Sequence, residues 1–263
     1  MSNSKFVWFF GDDDKILPLG LKTILDYILN FNADDQLNVI ILSRSILDAD
    51  TGYIYDEEYD KFLRETKLFT PKKSILKYLN YGDLTVISRL IIRKNFLNND
   101  SWANTYNFAL QPQLSCLIEA ISQGNHLWIC ENLILYRYLS SNKNWSASGV
   151  IANAIEFPSY NILASSLNIP TEYLRNTYSK KGALYSYLKI KFFNQEYGTK
   201  LTEIAEKVLS LAFLNFKYIK NFIDLIIENK LISNIFKSLI LKIRPQFLIE
   251  SQAVEQHLLD VEN

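Results

Sequence analysis

Phe6-Val7-Trp8-Phe9-Phe10-Gly11-Asp12-Asp13-Asp14-Lys15-Ile16-Leu17-Pro18 is the stretch whose reading decides the fold. Five apolar residues in succession predict a strand buried on both faces, as in a parallel or mixed sheet, rather than a half-exposed one. Gly11 and three aspartates end it abruptly. Pro18 suits the first turn of a helix, on which Leu21, Ile24, Leu25, Ile28 and Leu29 form one apolar stripe of about three turns. Leu37 to Ser43 reads as a second buried strand. Asp48 to Gly52 then reads as a turn, leading into the alternating stretch Tyr53-Ile54-Tyr55, a hairpin return. The unit is βαβ with a hairpin attached.

Further along, Lys72 to Asn80 predicts a short helix, Thr85 to Arg93 a strand, Pro112 to Gln123 a helix, and His126 to Leu139 one or two strands. From Val150 the strand signals fade. Ile204, Val208, Leu211, Ile219, Phe222 and Ile226, then Ile232, Ile235, Phe236, Leu239 and Ile243, recur at helical spacing. The Ser- and Asn-rich stretch Ser140 to Gly149 is the natural join. The expected organisation is an α/β domain over 1–149 and an all-helical region over 150–263.

Composition bounds the function. With 263 residues, 48% hydrophobic and 21% charged, the chain can bury a core, which excludes disordered and collagen-like classes. Its net charge of zero supplies no overall attraction to polyanions, so no nucleic-acid partner is expected. No apolar run approaches the ~18 residues of a membrane span, and the first residues lack a signal peptide, which points to the cytoplasm. Cys116 and Cys130 are too few for a disulfide framework, and no Cys or His stands at zinc-ligand spacing. Charge is uneven along the chain: residues 1–60 carry 4 basic and 12 acidic side chains, residues 250–263 carry 4 acidic and none basic, and the middle is correspondingly positive. This predicts an acidic site near the N-terminus and a basic body able to face phosphates.

Three adjacent carboxylates repel one another unless solvated or offset by a cation. In an open α/β sheet, ligands bind beyond the carboxyl ends of the strands, where Asp12, Asp13 and Asp14 are expected. Hard oxygen ligands suit Mg²⁺ or Mn²⁺, ions that bridge nucleotide phosphates. On the residues alone, a polar turn that caps the following helix accounts for the triplet as well.

The whole of 6–20 resembles the Asp-x-Asp region of family-2 nucleotide-sugar glycosyltransferases of the GT-A fold. There, a buried strand delivers the acidic motif and a proline opens the next helix. Further matches come in the family's order: the strand Leu37 to Ser43, the hairpin turn Asp48 to Gly52, Thr85-Val-Ile-Ser88-Arg-Leu-Ile-Ile-Arg93, the helix Gln111 to Gln123 closed by Gly124, and Leu133-Ile-Leu-Tyr-Arg137. The resemblance covers about residues 4–157. It implies a partial GT-A-like mixed sheet with flanking helices. Asp12 and Asp14 would contact the divalent metal, Mn²⁺ or Mg²⁺, and the donor's ribose or diphosphate, with Asp13 between them. The helix Leu19 to Asn30 would hold the motif in place. The implied partners are a nucleotide-sugar donor and a glycan or lipid-linked acceptor. Asp100 is the only carboxylate in the region, 95–112, that matches the family's general base.

Besides the general base, for which Asp100 alone is available, the sequence departs from the family pattern before Phe6. Family members carry a further nucleotide-binding half before the Asp-x-Asp strand, whereas five residues precede Phe6 here. The Phe6 to Phe10 strand is therefore expected at an uncovered sheet edge, pairing with a second copy or with a separately encoded N-terminal half. The same departure supports an alternative function, a non-catalytic remnant or partner subunit acting as an interaction protein.

Weaker signals resolve more simply. Asp48, Asp50 and Gly52 miss the calcium-loop spacing, with Tyr59 where a Glu is required. Ser74-Ile-Leu-Lys77 lacks the companion motifs of a serine nucleophile, and His126 reads as a structural strand residue. From Lys217 to Arg244, six basic and two acidic residues interleave with Ile, Leu and Phe. That pattern predicts helices packed on the sheet domain or, alternatively, lying on the inner face of an anionic membrane as a peripheral contact.

Overall fold

The computed structural model describes residues 5–31, 36–56, 63–98, 113–138, 149–174, 178–193 and 198–243. Two long strands carry the α/β part: β3 (Leu37–Asp48) and β7 (Asn125–Tyr138) run parallel, from Leu37 opposite Asn125 to Asp48 opposite Tyr138. Val39 to Leu42 and Leu127 to Ile129 are wholly buried. Their continuous apolar runs therefore do mark strands covered on both faces.

Each long strand has two short antiparallel neighbours on its outer side. β3 takes β6 (Leu90–Arg93) beside Val39 to Ile41 and β4 (Ile54–Asp56) beside Ser45 to Leu47. β7 takes β5 (Lys67–Phe69) beside His126 to Trp128 and β2 (Lys15–Ile16) beside Ile134 and Leu135. β1 (Phe6–Trp8) lies outside β6, antiparallel to it. The result is a curled, mixed, seven-stranded sheet whose path runs β1-β6-β3-β7-β2.

β1 differs from the strand predicted on both faces: it spans three residues, and Phe6, Val7 and Trp8 are only half-buried. It ends the sheet path, and among the described residues no strand pairs with its outer side. An edge strand has one flank in solvent, so unbroken hydrophobicity does not ensure full burial there. The strand predicted over Thr85 to Arg93 is also shorter. It begins at Leu90, after a single helical turn (Tyr81–Leu84) with an Asn80/Asp83 capping box and a 3₁₀ turn at Ile87–Arg89. Ser88 and Arg89 are polar and buried at that turn, tied into side-chain hydrogen bonds that a ladder position would not allow. The helix predicted over Lys72 to Asn80 is a 3₁₀ turn, Ile75–Lys77.

Helix α1 (Gly20–Phe31) starts two residues after Pro18 and packs Ile24, with Tyr27 and Ile28 beside it, onto Ile40, Leu42, Ile129 and Ile134. The stripe is thus split: Leu21, Leu25 and Leu29, at i, i+4 and i+8, point outward and are 52%, 49% and 76% exposed. Helix α2 (Gln113–Gln123) buries Leu114, Leu117, Ile118 and Ile121, packing on β3 and β6, and Asn38 Nδ2 donates to Ala120 O at 3.1 Å. Gly124 joins α2 to β7 where backbones crowd. A Cβ there would lie 2.3 Å from Asn38 Nδ2 and 2.7 Å from the Gln36 carbonyl.

The chain divides into two compact units, residues 1–142 with 163–177, and residues 143–162 with 178–263. The described parts of the second are helical. A π turn (Ala152–Glu156) leads into α3 (Phe157–Ser166), with Phe157 N–H donating to the Ala152 carbonyl five residues back. Pro158 has no N–H to offer the α-helical partner four residues back, and a widened turn absorbs the mismatch. α4 (Lys180–Phe193), α5 (Gly198–Ala212), α6 (Phe216–Glu228) and α7 (Lys230–Ile243) follow. Lys191, Glu206, Lys220 and Asp224 link α4, α5 and α6 in one ionic network, including Lys191 to Asp224 at 2.7 Å and Lys220 to Asp224 at 2.8 Å. The outward faces of α6 and α7 carry Tyr218, Phe222, Leu225, Leu231, Ile235 and Leu239, all exposed. No helix of the described residues is long and apolar enough to cross a membrane.

Gly124→Ala should destabilise the protein by about 1–3 kcal/mol, because the new methyl must displace Asn38 or the strand-entry backbone. A lowered urea midpoint with unchanged denaturant slope is the expected reading.

Candidate functional site at the acidic turn

β1 and β3 run the same way, with Trp8 level with Ile40 through Ile91 of β6, so the chain leaving β1 continues toward the carboxyl ends of the parallel strands. From there it crosses to β7, which β2 joins from the outer side. The crossing segment is Phe9 to Asp14. It closes in a turn, Asp14 N donating to Gly11 O at 3.3 Å, which leaves Asp12 and Asp13 exposed and Asp14 half-buried behind them.

The Asp14 carboxylate is held from two sides. Its Oδ2 accepts from the hydroxyl of Ser88, and its Oδ1 accepts from Arg137 N at 3.1 Å. Ser88 Oγ in turn accepts from Gly11 N at 2.8 Å, and the Ser88 carbonyl accepts from Trp8 Nε1 at 2.8 Å. The Ser88 turn is itself fixed by Arg89, wholly buried, which donates from Nε to Leu42 O at 2.9 Å and from Nη1 to Asp83 O at 2.8 Å, with Trp128 beneath its guanidinium. Arg44, buried on β3, stacks over Tyr136 at 4.7 Å and places a positive charge near Asp14.

Burial pushes the Asp14 carboxyl above its ordinary value, and the neighbouring Asp13 charge adds to the rise. Hydrogen bonds from Ser88 and Arg137, with the field of Arg44, oppose that shift without cancelling it. The donor set suits a hard divalent cation. Such an ion is commonly held by one or two carboxylates plus phosphate oxygens and water. Exposed Asp12 and Asp13 offer such oxygens, and each Asp14 oxygen keeps a second lone pair beyond the hydrogen bond it accepts. Among the described residues no group of three or more His, Cys, Asp or Glu side chains is gathered into a ready-made metal cage.

The sequence-predicted residues thus separate. Asp12, Asp13 and Asp14 share one turn, while Asp100 lies outside the described residues. Ser88 and Arg137 hold Asp14, yet nothing in their local sequence marks them as partners. Glu131 takes hydrogen bonds from Tyr27 OH at 2.5 Å and Thr66 Oγ1 at 2.7 Å. Burial raises its carboxyl, but the hydrogen bonds it accepts, those from Tyr27 and Thr66 foremost, together outweigh burial and hold it below the ordinary value. His126 is structural: its Nε2 accepts from Ile75 N at 3.1 Å and its ring stacks on Phe69 at 5.7 Å. Burial pushes the His126 imidazole down to about 4. Ser74 Oγ accepts from Leu76 N at 3.3 Å, capping the 3₁₀ turn.

Compared with known proteins, the chain matches no family model and no curated protein sequence.

Two titrations follow. Because the Asp14 pKa is raised, its contribution to stability is present below the ordinary carboxylate range and is lost as pH rises through the raised value. Asp14→Asn should therefore gain stability over the native protein as pH rises through the acid range, with the gap constant once Asp14 is ionised; paired urea melts check this. The His126 pKa is depressed from 6.5 to about 4, so its contribution is complete above the unfolded value and is lost as pH falls between the two. That loss should total about 3 kcal/mol. The His126 ring resonances, followed by NMR, should stay in the neutral form down to about pH 4, the value that burial sets.

Proposed function

We propose that this protein is a metal-dependent glycosyltransferase, or the acceptor-side half of one, moving a sugar from a nucleotide-diphosphate donor to a glycan or lipid-linked acceptor. One observation carries the reading. The three stretches 6–20, 85–93 and 133–137, each matched to family-2 enzymes from sequence, meet at a single side chain, Asp14, through Ser88 and Arg137. The acidic turn also lies beside the carboxyl end of β7, where Asp14 bonds Arg137 N and Lys15 pairs with Leu135, toward the usual ligand side of an α/β sheet. The edge position of β1 agrees with the family pattern, in which another strand flanks it.

In this reading Asp12 and Asp14 hold the cation, with Asp13 between them, and the bonds that Asp14 accepts from Ser88 and Arg137 set the turn's position. Mn²⁺ or Mg²⁺ bound there would neutralise the charge that builds on the departing diphosphate. The charge of Arg44 opposes the repulsion that Asp13 exerts on Asp14 before the ligand arrives. A lipid-linked acceptor is favoured by the helical unit, where Lys217, Lys230 and Lys242 are exposed on the same helices as Tyr218, Phe222 and Leu231.

A second reading, a non-catalytic interaction protein, draws on a different feature of the same turn. Both Asp14 oxygens are engaged by the protein's own donors, as they would be if the turn served only to close the sheet.

Asp12→Ala separates the two, since Asp12 is exposed and its loss should leave the melting temperature unchanged. The glycosyltransferase reading expects Mn²⁺-dependent binding of one of UDP, GDP, CDP or TDP, weakened by about tenfold or more in the variant. Nucleotide affinity equal in variant and native protein would overturn it.

A further inference from the structure

We propose a second ligand site in the α/β unit, a basic cavity that binds the phosphate of a small phosphate-bearing molecule. A cavity of about 350 Å³ opens between β5 and the turn that follows it, and Lys67, Lys73, Lys77, Ser74, Tyr78 and Tyr173 line it. Three chain segments converge there. β5 brings Lys67, paired opposite Trp128 on β7. A tight turn, Lys73 N donating to Thr70 O at 2.9 Å, presents Lys73 and then Lys77 four residues on. The Thr171–Leu174 turn brings Tyr173, whose hydroxyl donates to the Lys72 carbonyl at 2.7 Å.

Among the described residues the charged side chains lining this cavity are all basic. Three lysines line it and, among the described residues, no aspartate or glutamate does, although the chain as a whole has equal numbers of acidic and basic residues. Like charges gathered in a concavity repel one another, and low-dielectric walls focus their field on whatever anion enters. Lys77 is held in place: its Nζ lies 5.8 Å from the centre of the Tyr78 ring and 6.0 Å from that of Tyr173. Ser74, wholly buried at the wall, accepts from Leu76 N, a bond that leaves its hydroxyl proton to donate. Lysine ammonium groups with a hydroxyl donor are a usual set for a phosphate. The aromatic walls give the rest of the ligand an apolar surface.

This cavity is remote from the acidic turn. Lys67 pairs at Trp128, whereas Asp14 bonds at Arg137, nine residues further along β7. The inference therefore does not rest on the glycosyltransferase reading and is tested without metal.

Calorimetric titration of the full chain in low-salt buffer with EDTA would use inorganic pyrophosphate, inorganic phosphate and glycerol 3-phosphate as probes. Binding of at least one is expected. The Lys73→Glu/Lys77→Glu variant, at two exposed positions, should weaken it by about tenfold or more, while the Lys73→Arg/Lys77→Arg variant and Asp12→Ala should retain it. Tighter binding of glycerol 3-phosphate than of pyrophosphate assigns the site to a lipid headgroup, and the reverse order to a free phosphate compound. The proposal is overturned if none of the probes binds, or if the charge reversal leaves affinity unchanged in a variant whose melting curve matches the native one.

Discussion

A guanidinium placed in a protein interior must find acceptors, because the cost of stripping its water is far larger than the stability of a domain can absorb. Arg89 is wholly buried, and it meets part of that demand by bonding the carbonyls of Leu42 on the central strand from Nε and of Asp83 in the preceding helical turn from Nη1. Those bonds fix the backbone of Ile87–Arg89 against β3. Ser88 rides on that turn, and from it the hydroxyl reaches Asp14 and Gly11 while the carbonyl takes the Trp8 indole. The position of the acidic turn is thus set indirectly by where a buried positive charge can be satisfied. Leu42 lies in the stretch of β3 that packs against β7, so the same bond ties the turn to the best-buried part of the sheet.

The sheet's two long strands were legible because burial on both faces leaves a plain mark, an unbroken apolar run such as Val39 to Leu42. The same mark misled at Phe6 to Phe10, where apolar side chains serve an edge strand whose outer flank no hydrophobicity pattern reveals. The stripe on α1 misled in a related way. Ile24 and Leu25 are both helical neighbours of Leu21, three and four residues on, yet only Ile24 faces the sheet, since periodicity gives a helix an apolar side but not the angle at which a sheet receives it. Over Thr85 to Arg93, local sequence favoured a strand, and the burial of Ser88 and Arg89 turned its first half into a 3₁₀ turn. In the helical unit the spacing located buried positions at Val208 and Ile226, but Leu211, Ile232, Ile235 and Leu239, read into the same stripes, are exposed. It did not show that Tyr218 and Phe222 would remain outside.

The acidic turn was visible as chemistry, three carboxylates after a strand, while its support was not. Ser88 and Arg137 are common residues at separations of 74 and 123 from Asp14, and only the folded sheet brings them to it. Inequality among the aspartates was equally hidden: adjacent in sequence, they differ because the turn directs one inward and two outward. The lysine cavity left even less trace. Lys67, Lys73 and Lys77 are ordinary surface residues in a generally basic stretch, and Tyr173 joins them from a hundred residues away. Charge counting found the basic body of the chain, and folding gathered part of that charge in one concavity.

The pairing of β2 with β7 bears on how the molecule forms. Lys15 meets Leu135, Phe6 meets Arg93, and Leu37 meets Asn125, so nearly every strand contact of the acidic turn's surroundings joins distant parts of the chain. Contacts of such long range make folding slow, since large loops must close before any of the bonds can form. The hairpin between β3 and β4 and the turns around Ser74 and Asn80 are local and can form early. The acidic turn needs β6 and the far end of β7 in place. During synthesis, a chain extended to Arg93 already contains Asp14 and Ser88, but it gains the second anchor of that carboxylate only once Arg137 has left the ribosome.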